Sequence, residues 1–129
     1  MHFGYTIVYV PDVQAAVGFY ERAFGFKMRF NADDWDYAEL ETGDTTLAFA
    51  AEKMADLLGT SITPNRAEAT AAGIELAFVT EDVHGAFTRA TDTGASPVTE
   101  PNQTPWGQTV SYVRDQNGVL IEICSPVSG

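Results

Sequence analysis

Residues 4–26, "GYTIVYVPDVQAAVGFYERAFGF", and residues 73–95, "GIELAFVTEDVHGAFTRATDTGA", carry one pattern twice. In the first copy Tyr5, Ile7 and Tyr9 alternate with Thr6, Val8 and Val10, the period of two expected of a strand. Asp12 follows as a helix N-cap, able to accept from first-turn amides. Val13, Ala16, Val17, Tyr20 and Phe24 then fall at helical spacing, and Gly25 is placed to end the helix in a left-handed conformation. In the second copy Glu75, Ala77 and Val79 alternate with Leu76, Phe78 and Thr80. Asp82 caps a helix carrying Val83, Ala86, Phe87 and Ala90, and Gly94 ends it. Asp12–Val13 matches Asp82–Val83 at an offset of 70 residues.

Three strand-like runs follow each helix. The first half has "FKMRFN" (26–31), "DYAELE" (36–41) and "TTLAFAA" (45–51); the second has "SPVTEP" (96–101), "TVSYVRD" (109–115) and "VLIEIC" (119–124). "ETGDTT" and "RDQNGV", between the last two runs of each half, have turn composition. An internal repeat of this length is an architectural signal. It predicts a single α+β domain over 1–129: a first βαβββ module over about 3–51, a connecting segment over about 52–72 and a second βαβββ module over about 73–125. In the connection, "EKMADLL" suits a short helix and "GTSITPN" a loop, so the segment is either a linker or a flap over a pocket. One face of each sheet packs its helix. The other carries Tyr5, Tyr9, Tyr37, Glu39, Glu75 and Glu122, too polar for a second core and suited to a mixed sheet curled around a cavity.

Composition narrows the function classes. The 129 residues, 45% hydrophobic, are enough for one domain with a real core. No apolar run approaches the roughly 20 residues of a membrane span. The net charge of −11 argues against nucleic acid, whose phosphates need cationic partners, and suits a cationic small molecule. A single cysteine, Cys124, and an N-terminus without a basic leader lead to a cytoplasmic expectation. The two histidines, His2 and His84, fall at a chain end and just after a helix cap, positions expected at the surface. Catalytic triads and histidine bases therefore have no support.

"VPDVQAAVGFYERAFGF" (10–26) and "PWGQTVSYVRDQNGVLIEI" (105–123), with the repeat, resemble the vicinal oxygen chelate superfamily, which contains glyoxalase I, extradiol dioxygenases and the fosfomycin and bleomycin resistance proteins. The first stretch has the D-then-FY-then-GF pattern. The second is similar to the PWG and D-P-x-G-x-x-x-E ending, with Gln116 in place of the proline. The resemblance implies the glyoxalase/bleomycin resistance fold. It also implies that the positions where metal-using members carry ligands are Tyr5, Ala48, Glu75 and Glu122. Glu122 matches the final glutamate, Tyr5 and Glu75 stand where histidine is usual, and Ala48 has no donor.

Catalytic divalent sites usually draw about three protein ligands, with imidazole favoured for zinc, nickel and iron. Two carboxylates and a phenol make a poor set, so no cofactor is predicted; a divalent ion at Glu75 and Glu122 is the alternative. Glu75, Glu122 and Tyr5 are the candidate catalytic residues for metal-free proton transfer, and Tyr5, Tyr37, Glu75, Trp106, Tyr112 and Glu122 are the candidate ligand-binding residues. A structural role is the alternative for the two glutamates, with one or both hydrogen-bonded to Tyr5 or Arg114, and inert burial is the alternative for Cys124. The expectation is a small-molecule-binding protein closest to the bleomycin resistance branch, which the resemblance describes as sequestering its drug without chemistry between paired chains. Its partners are then a cationic, partly aromatic molecule and a second copy of itself, with no nucleic acid and no membrane. A glyoxalase-type lyase, isomerase or dioxygenase, or a metal-free Glu/Tyr enzyme, is the alternative.

Overall fold

Asp12 and Asp82 start the two long helices as N-caps. Asp12 Oδ1 accepts from the Ala15 amide at 3.0 Å and Asp82 Oδ1 from the Gly85 amide at 2.9 Å. Gly25 ends the first helix at φ 79° and Gly94 the second at φ 122°. The elements run β1 (Tyr5–Val10), α1 (Val13–Phe24), β2 (Lys27–Asn31), β3 (Tyr37–Glu41), β4 (Thr46–Ala51), α2 (Lys53–Leu57), β5 (Glu75–Val79), α3 (Val83–Thr93), β6 (Ser96–Gln103), β7 (Thr109–Arg114) and β8 (Leu120–Cys124). This is βαβββ twice, in a computed structural model that describes residues 1–127. Each copy forms its own four-stranded mixed sheet, neither of them closed, in the orders β1-β4-β3-β2 and β5-β8-β7-β6. β1 runs parallel to β4 and β5 parallel to β8; the remaining pairs are antiparallel. The chain divides into two compact units, residues 1–64 and 65 onward, so the division falls within the 52–72 connection.

The first unit has an aromatic core. α1 buries Val13, Ala16, Val17, Phe19, Tyr20 and Ala23, and Tyr20 meets Phe49 of β4 with ring centroids 4.8 Å apart. Phe19 and Phe24 add edge and tilted contacts to Tyr20 at 5.9 and 5.1 Å. Phe24 itself is only half-buried, whereas Phe19, between the expected core positions, is fully enclosed.

The second unit has an aliphatic core. Ile121, Ile123 and Val113 are buried with Val83 and Ala90 of α3, and the buried Ser111 hydroxyl donates to the Ile123 carbonyl at 2.9 Å. β6 is almost wholly exposed, holds Pro97 and Pro101 and shifts register twice against β7, which suits an edge strand.

In the second unit the connection is tied down after residue 65. Arg114 donates to the carbonyls of Ala69 at 2.7 Å and Ala67 and Arg66 at 3.4 Å, and its Nε to Gly118 at 2.9 Å. Gly118 has φ 87°, and a Cβ there would run into the Arg66 carbonyl oxygen and the Arg114 guanidinium. Gln116, in the family's proline position, is exposed, and the turn closes through Asp115 Oδ1, which accepts from Asn117 and Val119 amides at 2.8 and 2.9 Å.

Candidate functional site

Strand register settles which positions of the two repeats correspond. Ile7 pairs with Ala48 as Ala77 pairs with Glu122, and Ile7 and Ala77 are 70 residues apart, like the two caps. Ala48 therefore takes in the first unit the place that Glu122 takes in the second, and Tyr5 takes that of Glu75. β1 and β5 each turn a face outward: Tyr5 and Ile7 are exposed in one, Glu75, Ala77 and Val79 in the other.

On the second unit this face carries a connected polar group. Glu75, at the start of β5, and Glu122, in the middle of β8, lie close enough for their side chains to interact. Partial desolvation, followed by the neighbouring Glu122 carboxyl and its charge, raises Glu75 above the ordinary carboxylate range. Tyr112, opposite Glu122 on β7, donates its hydroxyl to Glu122 Oε1 at 3.1 Å. Desolvation, with the Glu122 bond and the two carboxylate charges, pushes that phenol up to about 12. Cys124 is buried beside the pair. Desolvation, with the Glu122 carboxyl beside it, pushes the thiol up to about 11, so it stays protonated at neutral pH. Gln108, beside the same thiol, donates Nε2 to the Ser125 carbonyl at 2.9 Å and accepts the indole N–H of Trp106 on Oε1 at 2.9 Å. Trp106 is 64% exposed. Among the described residues no salt bridge reaches Glu75 or Glu122.

The first unit organises its polar face around a cation. Arg29 Nη2 bonds Glu39 Oε1 at 2.9 Å and Thr46 Oγ1 at 2.6 Å, and Nη1 lies 3.6 Å from Glu41. Tyr37 donates to Glu39 Oε2 at 2.8 Å. Burial opposes ionisation of Glu39, but the bonds from Arg29 and Tyr37 outweigh it and hold the carboxyl below its usual range. Burial, and then the bond to Glu39, raise the Tyr37 phenol. Phe30 tilts against Tyr37 at 6.4 Å. An open cavity of about 520 Å³ in this unit lies elsewhere, at the start of α1, lined by Asp12, Trp35, Asp36 and Glu52 among others.

Of the sequence-predicted residues, Glu75, Tyr112 and Glu122 thus come together in the second unit, Tyr112 hydrogen-bonded to Glu122, while Trp106 is bonded to Gln108. Tyr5 and Tyr37 belong to the first unit. The structural alternative is not followed by these bonds: Glu122 accepts from Tyr112 and lies beside Glu75, and Arg114 is committed to backbone carbonyls. Gln108 and Arg29 were not predicted. Gln108 had a readable signal, since it stands just before β7 in step with Val110 and Tyr112. His2 and His84 are exposed.

The donor set does not fit a His-based metal centre. Of the four ligand positions one is alanine and none is histidine. Among the described residues no group of three or more His, Cys, Asp or Glu is placed to hold a metal ion. No helix of the described chain is long and apolar enough to cross a membrane.

Comparison with known proteins places the fold. A glyoxalase/bleomycin resistance protein/dioxygenase family enzyme from Burkholderia phytofirmans PsJN superposes with TM-score 0.84 at 20% identity, covering 99% of this chain and all of that one. A glyoxalase-related enzyme from Fulvimarina pelagi gives 0.83 at 19% identity, covering 98% and 88%. TioX from Micromonospora sp. ML1 gives 0.72 at 24% identity, covering 97% and 98%. No curated protein matches the sequence. The family's sequence profile matches residues 2–123, and with the doubled βαβββ plan and the register of Glu122 on the eighth strand, the chain belongs to the Glyoxalase/Bleomycin resistance protein/Dioxygenase superfamily.

Proposed function

We propose that this chain binds and sequesters a small organic cation with an aromatic part, in the manner of the bleomycin resistance branch, without changing it chemically. The observation that carries the reading is the Glu75–Glu122 pair, two neighbouring carboxyl groups on an open sheet face with no basic residue in a salt bridge to either among the described residues. A ligand ammonium or guanidinium placed between them favours the ionised form of both groups. Tyr112 and Trp106 supply ring faces for the rest of the ligand, and the net charge of −11 favours its approach. Tyr5 and Tyr37 are proposed as further contacts. The same reading includes a cytoplasmic homodimer, supported by the exposed Tyr5, Ile7, Phe30 and Val79, apolar surface that a second copy would cover.

Calorimetric titration with a panel of flat aromatic cations and their neutral isosteres tests this. The expected result is binding of cations only, weakened at least roughly tenfold in Glu122→Gln, the scale of one charged hydrogen bond. Equal binding of neutral isosteres would sink the reading.

The raised Glu75 carboxyl supports a second reading, metal-free acid–base catalysis with Glu75 as acid and Glu122 as base. Turnover of a bound ligand, lost in Glu75→Gln, would favour it over sequestration.

A further inference from the structure

We infer that Gln108 is a positioning residue, which fixes the exposed Trp106 ring as a ligand-stacking wall for the Glu75–Glu122 face. The inference rests on the binding role proposed for that face, but its first half can be judged without a ligand.

Trp106 occupies the tight β6–β7 turn. The Gly107 amide donates to the Thr104 carbonyl at 3.0 Å, the Thr104 amide to the Gln108 carbonyl at 2.8 Å, and the Gln108 amide to Thr104 Oγ1 at 3.1 Å. Gly107 at φ 89° lets the chain turn there. These bonds hold the turn backbone but leave the indole, 64% exposed, without restraint of their own. A large exposed ring with free torsions loses rotamer entropy when a ligand stacks on it.

Gln108 removes that freedom. Its Oε1 takes the indole N–H at 2.9 Å, and its Nε2 is itself anchored on the Ser125 carbonyl at 2.9 Å. Ser125 is in turn held to Thr109 by two bonds of 2.9 Å, one from its own amide and one to its Oγ from the Thr109 amide. The amide side chain is thus anchored through Nε2 on backbone next to β8 and holds the indole through Oε1. It also adjoins the Cys124 thiol, two residues along β8 from Glu122. The ring is thus joined by hydrogen bonds to Gln108 and Ser125, at the end of the strand that carries Glu122. A ligand whose cation sits at the pair meets a ring already held, and the substrate class this favours is a rigid, flat aromatic cation over a flexible aliphatic one.

The experiment uses Trp35→Phe protein, in which Trp106 is the sole tryptophan. Gln108→Leu removes the whole bridge, whereas Gln108→Glu keeps an acceptor for the indole but loses the donor to Ser125. The readouts are tryptophan anisotropy and acrylamide quenching without ligand, then the affinity for ethidium as the flat cationic probe, with a thermal melt to confirm folding. The expected result is lower anisotropy and faster quenching in Gln108→Leu, partial retention in Gln108→Glu, and ethidium affinity about three- to tenfold weaker in Gln108→Leu. Unchanged anisotropy and quenching in folded Gln108→Leu would overturn the positioning role. Changed anisotropy with unchanged ethidium affinity would overturn its link to ligand stacking. If the parent binds no ethidium or other aromatic cation, the proposed binding function fails and the stacking role with it, while the fluorescence still decides whether Gln108 holds the ring.

Discussion

The two repeats solve the same polar problem in opposite ways. In the first unit Glu39 is ionised and neutralised, with Arg29 on one oxygen and Tyr37 on the other. In the second, Glu122 has Tyr112 in the corresponding supporting role but a second carboxyl, Glu75, where a cation would balance it. The first face is electrostatically closed and the second is open to an incoming positive charge. A repeat whose two copies share capping, strand order and turns can therefore keep one sheet as scaffold and hold the other ready for a ligand. Their cores differ too, with Phe19, Tyr20 and Phe49 in the first against Ile121, Ile123 and Val113 in the second.

The largest effect expected from breaking this contrast is in the aromatic core. Phe49→Ala should cost about 3–5 kcal/mol in chemical denaturation, more than Val113→Ala, because it removes a ring in contact with Tyr20 and leaves a larger cavity. A smaller loss for Phe49 than for Val113 would show that the cores are not unequal as described.

Next come the equivalent turns. Gly118 and Gly43 both have positive φ, 87° and 98°, but a Cβ at Gly43 meets nothing within 4 Å, whereas at Gly118 it meets the Arg66 carbonyl and Arg114. Gly118→Ala should lose about 2–3 kcal/mol and Gly43→Ala about 1 kcal/mol, the backbone strain alone. Equal losses would mean that the 66–69 strap yields freely.

The smallest effects, and the sharpest, are in pH dependence. Glu39 is lowered in the folded chain, so its contribution is present above the ordinary carboxylate pKa and is lost as pH falls through its depressed value. Glu75 is raised, so the folded chain binds the extra proton, and stability falls as pH rises from the ordinary carboxylate value through the raised one. Melting curves across that acidic-to-neutral window should show Glu75→Gln flattening the decline and Glu39→Gln reducing the loss on acidification. Identical profiles for both variants would erase the contrast between the faces.

Legibility in the sequence followed the range of the interaction. The caps at Asp12 and Asp82, the helix ends at Gly25 and Gly94, and all eight strands were readable to within two residues or so, because alternation, helical spacing and turn chemistry act over a few residues. The outward placement of Glu75 and the position of Glu122 followed from the same alternation. Cross-strand partners did not. That Tyr112 meets Glu122, and that Glu75 comes beside it, depends on register between separate strands. Arg29 reaches Glu39 where the β2–β3 register shifts between Met28 and Phe30, an irregularity with no local mark in "KMRFN". The sequence by itself determined a doubled βαβββ chain with two carboxylates on strand faces, since those properties belong to single segments. Only the tertiary structure decided that one carboxylate would be paired with a cation and two others would be brought together, because charge compensation depends on which side chains the folded strands bring within reach.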